Sequence, residues 1–110
     1  KPLEDQGLIR RPFVPDECKH NGHMYYILVD QEIRNKLIEK LYKRNIQVTT
    51  HYEPLHSSNA GLKYCKTSGS LAKTNIAAKS IIRLPLWNGL SNNNQEYIIE
   101  SLEKVLKNEI

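Results

Sequence analysis

Between Met24 and Thr50 a strand, an amphipathic helix and a second strand follow one another without interruption, and this succession limits the fold more than any other feature. Met24-Tyr25-Tyr26-Ile27-Leu28-Val29-Asp30 is aromatic and β-branched, the composition of a strand. Asp30 then offers its carboxylate as the N-cap of a helix predicted over Gln31 to Arg44. Ile33, Leu37, Ile38 and Leu41 fall on one face of that helix. Glu32 lies near its start and Lys43 and Arg44 near its end, both suited to the helix dipole. Asn45 tolerates the left-handed conformation that ends a helix. Ile46-Gln47-Val48-Thr49-Thr50 follows as the second strand.

The remaining elements extend the pattern. Asn59 to Lys73 has little periodicity and reads as a mobile segment with one short turn. Thr74 is placed to cap a short helix running to Ser80. Ile81-Ile82-Arg83-Leu84 is a third strand, halted by Pro85, and Leu86 to Leu90 turn the chain. Ser91 caps a last helix, Asn92 to Lys107, with Ile98, Leu102, Val105 and Leu106 on its buried stripe. The expected architecture is α+β: two layers, a three-stranded sheet and two main helices. Its 110 residues suit one domain with one modest core. The lead, residues 1–22, carries Pro2, Pro12 and Pro15 and looks strand-like only over Arg11 to Val14. It reads as a connector from something upstream, with residues 23–110 as the domain itself.

The chemistry concentrates after the second strand. His51-Tyr52-Glu53-Pro54-Leu55-His56-Ser57-Ser58 sets two imidazoles, a phenol, a carboxylate and two hydroxyls around a proline. A rigid strand that delivers such a loop is the usual arrangement of a binding site. His51, Tyr52, His56 and Ser57 are the candidate ligand-facing residues.

Other signals are weaker. A net charge of +4, with lysines spread along the chain, is an ordinary solvated surface. It lacks the clustered basic residues and stacking aromatics of a nucleic-acid binder, though a small positive excess suits a phosphate ester. Cys18 and Cys65 read as reduced thiols. His20, His23 and Cys18 match no closed metal-ligand spacing, and Gly22 argues for a turn there. Ser70-Leu71-Ala72-Lys73 matches the Ser-x-x-Lys of serine acylases without their companion motifs. Arg83 either caps a solvent face or reaches an anion, and Trp87 is expected in the core. No apolar run is long enough to span a membrane.

His20-Asn21-Gly22-His23-Met24-Tyr25-Tyr26, the loop His51 to Ser58, Arg83-Leu84-Pro85-Leu86, and Leu90-Ser91 with Gln95 together resemble the C-terminal domain of the DegT/DnrJ/EryC1/StrS nucleotide-sugar aminotransferases. These are pyridoxal-phosphate enzymes, and the resemblance runs from about Pro12 onward. The Leu-Pro-Leu segment is generic to the family. The His-Tyr-x-Pro-Leu-His-Ser-Ser loop is more selective and is most similar to the branch that serves enterobacterial common antigen synthesis. The resemblance implies the small domain of a fold-type-I aminotransferase. It implies amino transfer from glutamate to C4 of dTDP-4-keto-6-deoxyglucose, giving dTDP-4-amino-4,6-dideoxygalactose, by a cytoplasmic homodimer with neither nucleic-acid nor membrane partners. The family's Schiff-base lysine and the acidic partner of the pyridine nitrogen belong to a larger N-terminal domain. No lysine here stands in that motif. The resemblance therefore assigns this chain no catalytic residue and no metal, leaves pyridoxal phosphate mainly to the larger domain, and implies that the chain alone is inactive. His51, Tyr52 and His56 match the loop that faces the family's active-site cleft, and Ser57 would add a hydroxyl contact.

Overall fold

Two antiparallel strands, β1 (Tyr25–Leu28) and β2 (Ile81–Leu84), centre the computed structural model, which describes residues 1–110. Ile27 lies opposite Ile82 and Tyr26 opposite Arg83. Side chains alternate across a strand. Ile27 and Ile82 therefore share one face and are fully buried, while Tyr26 and Arg83 share the other and stay half-exposed. The helices α2 (Gln31–Tyr42) and α5 (Asn92–Asn108) supply Leu37 and Leu41, and Leu102, Val105 and Leu106, to the same core as Ile27 and Ile82. The domain is thus α+β.

The sheet has two strands where three were expected. Ile46 to Thr50 meets β2 only at Thr49, whose N–H donates to the Arg83 carbonyl (3.2 Å) and whose carbonyl accepts from the Arg83 N–H (2.7 Å). In an antiparallel ladder the next hydrogen-bonded pair would match Gln47 with Pro85, and proline has no N–H to give. On the other side, the chain after Thr50 turns into the polar loop. The same chemistry limits the lead. Arg10 exchanges two hydrogen bonds with Leu28 (2.8 and 2.9 Å), but the next partner for β1 is Pro12. The strand-like reading of Arg11 to Val14 therefore reduces to a single bridge at Arg10.

The end of α2 follows the sequence closely. Asn45 has φ of 58°, its N–H donates to the Tyr42 carbonyl (2.9 Å), and the Ile46 N–H donates to the Leu41 carbonyl (3.0 Å). This is a Schellman ending, with Leu41 and Ile46 both buried as its apolar clasp. At the other end the Asp30 carboxylate accepts from the Glu32 N–H (2.8 Å). Asp30→Ala is expected to cost about 1 kcal/mol, read as a lower urea midpoint at unchanged slope.

Three local expectations change. The segment after the loop holds a helix, α3 (Asn59–Tyr64), capped by Ser58. The next helix, α4 (Ala72–Ser80), begins two residues before Thr74, with Leu71 left-handed at φ of 49°. Trp87 is not core. It is 52% exposed, because Pro85 ends the strand and Trp87 lies in the turn closed by the Leu90 N–H on its carbonyl (3.2 Å).

The lead also contributes to packing. A short helix, α1 (Pro2–Asp5), places Leu3 in the core, and Ile9 joins it. Glu4 holds the lead's fold: the Arg11 backbone N–H (2.8 Å) and guanidinium (2.7 Å) both donate to its carboxylate. Those two bonds lower the Glu4 carboxyl below the usual carboxylate range. The folded form therefore gains from this tether above the ordinary carboxylate pKa and loses it as pH falls through the lowered value.

Candidate functional site

The polar loop leaves the sheet beside β2. Ile46 and Val48 are buried and anchor its approach, and the Thr49–Arg83 bridge fixes the last sheet-bound residue. His51 and Tyr52 come two and three residues later. Both are exposed, Tyr52 by 82%, and neither makes a side-chain hydrogen bond within the chain. Their rings lie 4.9 Å apart, tilted by 58°, an edge-on aromatic contact that lets each limit the other's motion.

The second half of the loop is a closed turn. The Pro54 carbonyl accepts from the Ser57 and Ser58 N–H groups, each at 3.1 Å. The Ser57 hydroxyl also donates to it, at 3.2 Å. Ser58 is the N-cap of α3: its Oγ accepts from the Gly61 N–H (3.0 Å) and donates to the Leu55 carbonyl (2.8 Å). Gly61 is buried against that carbonyl. The turn pushes Leu55 outward to 85% exposure. His56 instead leans back to α4, where its Nε2 meets Asn75 Oδ1 at 2.7 Å.

The four candidates thus divide. His51 and Tyr52 stand free at the surface, whereas His56 and Ser57 already have partners inside the chain. Asn75 is the residue the sequence reading missed. Its one signal was an amide side chain within a helix, where Asn is a poor former. His20 and His23 occupy a turn, as expected from Gly22: the Gly22 N–H donates to His20 Nδ1 (2.9 Å), and His23 Nδ1 meets Asn21 Oδ1 (2.6 Å). No three His, Cys, Asp or Glu side chains lie close enough to share a metal ion. Cys18 and Cys65 are both exposed and unpaired. No helix is long and apolar enough to cross a membrane. Arg83, half-exposed opposite Tyr26, forms no ion pair.

Two grooves lie along the lead, one between Gly7–Arg10 and α4, the other around Arg10, Phe13 and Tyr26, and neither is lined by a residue of the loop. A cleft at His51 and Tyr52 requires a second surface opposite them. The chain has surface available for one. It exposes 8346 Å², against about 6,200 Å² for a compact monomer of its mass. Its radius of gyration is 15.8 Å, against about 13 Å for an independent domain of this length.

A family model, described as the DegT/DnrJ/EryC1/StrS aminotransferase family, matches residues 1–103. The chain belongs to that family. A dTDP-4-dehydro-2,3,6-trideoxy-D-glucose 4-aminotransferase from Saccharopolyspora spinosa is 23% identical over 94% of this chain and 26% of its own length. The crystal structure of the aminotransferase TlmJ from Streptoalloteichus hindustanus superposes with a TM-score of 0.80 at 28% identity, covering 99% of this chain and 30% of that one. The NtdA structure from Bacillus subtilis, with bound cofactor PMP, gives a TM-score of 0.80 at 23% identity, over 96% of this chain and 25% of the other. The chain therefore spans between a quarter and a third of the length of these relatives, and its fold is that of the matching part of an aminotransferase.

The family depends on pyridoxal phosphate, and this chain alone does not fit that group. A Schiff-base lysine works desolvated, beside a carboxylate for the ring nitrogen and donors for the phosphate. None of the lysines here is buried, and Lys40, among the better covered, pairs with Glu109 (3.6 Å).

Proposed function

We propose that this chain is the small domain of a pyridoxal-phosphate-dependent sugar-nucleotide aminotransferase, and that His51 and Tyr52 contact the sugar nucleotide. The observation that carries the reading is the free imidazole and phenol on a loop pinned to the sheet by Thr49. Polar groups held outward with no partner of their own are available to a ligand. Family membership supplies the reaction class. The surplus surface, roughly 2,000 Å² beyond a compact monomer's, supports a larger domain packed against this one; residues 1–22 are the connector to it, docked through Leu3 and Ile9 onto the core of the domain, 23–110. That larger domain holds the lysine and the cofactor. The proposed reaction takes an amino group from glutamate to C4 of dTDP-4-keto-6-deoxyglucose and yields dTDP-4-amino-4,6-dideoxygalactose. The enzyme works as a cytoplasmic homodimer. His56 and Ser57 complete the substrate-facing loop, Ser57 mainly by holding its turn.

The test is an assay of the full-length enzyme with pyridoxal phosphate, glutamate and dTDP-4-keto-6-deoxyglucose. The expected product carries the amino group at C4 in the galacto configuration, seen in proton couplings. The gluco epimer would overturn the sugar assignment, and no amino transfer to any nucleotide sugar would overturn the reaction class.

A further inference from the structure

We infer that Asn75 is a positioning residue that fixes which nitrogen of His56 carries the proton, and so fixes what His56 recognises: a donor group on the ligand, such as a sugar hydroxyl, rather than its diphosphate. The inference rests on the proposed function and deepens it at the same loop.

The geometry leaves little freedom. The Asn75 side chain has two ends. One faces the Ser70 carbonyl at 3.4 Å, and a carbonyl only accepts, so that end is the NH₂. The other end, Oδ1, therefore faces His56 Nε2 at 2.7 Å, and Oδ1 only accepts. Nε2 must then carry hydrogen. In the neutral ring Nδ1 is left as a bare lone pair, and it has no partner within the chain. A lone pair attracts O–H or N–H and repels a phosphate oxygen. The Ser70 carbonyl thus sets the polarity of Asn75, and Asn75 sets that of His56. Asn75 is itself held in α4, its N–H donating to the Leu71 carbonyl (3.1 Å).

The experiment uses the full-length enzyme labelled with [15N]histidine, with His56 assigned by the signal lost in His56→Gln. Native enzyme is expected to show His56 protonated at Nε2 and bare at Nδ1. Asn75→Leu removes the acceptor. It should mix the two tautomers and raise KM for the sugar nucleotide about tenfold with kcat little changed. Asn75→Asp separates positioning from mere anchoring. The carboxylate still accepts from Nε2 but loses the contact with the Ser70 carbonyl, so the 15N shifts of His56 are read beside KM: a merely weakened anchor leaves the ring neutral. The negative charge favours the imidazolium, however, which turns Nδ1 into a donor. The inference expects KM to rise in this variant as well. A native ring protonated at Nδ1 overturns the proposal, as does a native KM in both variants. These failures are distinct from that of the proposed function: an enzyme that transfers no amino group to a nucleotide sugar defeats the latter while leaving the tautomer as measured.

Discussion

Gly61→Ala is expected to destabilise the loop and α3 by about 3 kcal/mol, the upper end for inserting an atom into a packed site. A Cβ at Gly61 would lie 1.7 Å from the Leu55 carbonyl oxygen and 2.8 Å from its carbon. Both are backbone atoms and cannot rotate aside. Helix propensity argues the other way, since alanine is favoured over glycine by about 1 kcal/mol. The clash outweighs that preference. Relief requires α3 to lift from the Pro54–Ser58 turn, which breaks the Ser58 cap and moves His56 away from Asn75. Hydrogen exchange at the Leu62 amide, which donates to the Ser58 carbonyl, and at the Cys65 amide, which closes the end of α3 on the Gly61 carbonyl, should accelerate by orders of magnitude. Gly69→Ala is the control. It meets nothing within 4 Å, although its φ of +73° makes it cost about 1–2 kcal/mol locally without disturbing the loop. Native exchange at both amides in Gly61→Ala would show that the turn and α3 are not in contact.

Leu41→Ala is expected to remove about 2–5 kcal/mol of folding stability, a large fraction of what a domain of this size holds. Leu41 is fully buried in the core that the sheet shares with α5. It is also half of the apolar clasp with Ile46 that ends α2, and its carbonyl accepts from both Arg44 and Ile46. The cavity therefore opens where the chain turns toward Val48 and Thr49. Denaturation by urea, followed by far-UV circular dichroism, should show the lower midpoint. A shift below about 1 kcal/mol would mean that this end of α2 is not part of the cooperative core.

The strand–helix–Asn45 unit was legible because local propensity, the Asp30 cap and the apolar stripe all agree with the tertiary structure. The third strand was over-read. Ile46 to Thr50 has strand composition, but a ladder depends on its partner, and Pro85 and the turn after Thr50 allow one bridge only. Pro12 opposite Tyr26 acts in the same way on the lead. Leu3 and Ile9 were missed because two isolated apolar residues carry no periodicity, and only the folded chain shows what they touch. In the site, the outward positions of His51 and Tyr52 follow from the sequence order of buried strand and polar loop. The engagement of His56 with Asn75 does not, since 19 residues separate them. Trp87 shows the limit of residue type as a guide: it is apolar enough for a core, but lies past the proline that ends β2.

If His51 and Tyr52 face a ligand across a cleft completed by another domain, as proposed, kcat/KM of the full-length enzyme for its sugar nucleotide depends on both. Both side chains are exposed and unpaired here, so His51→Ala and Tyr52→Phe should leave the far-UV circular dichroism native. Each is predicted to lose a hydrogen bond to a charged or polar ligand group, about 1.5–3 kcal/mol, and kcat/KM should fall by roughly ten- to a hundredfold. Native kcat/KM in both variants would show that neither side chain meets the sugar nucleotide.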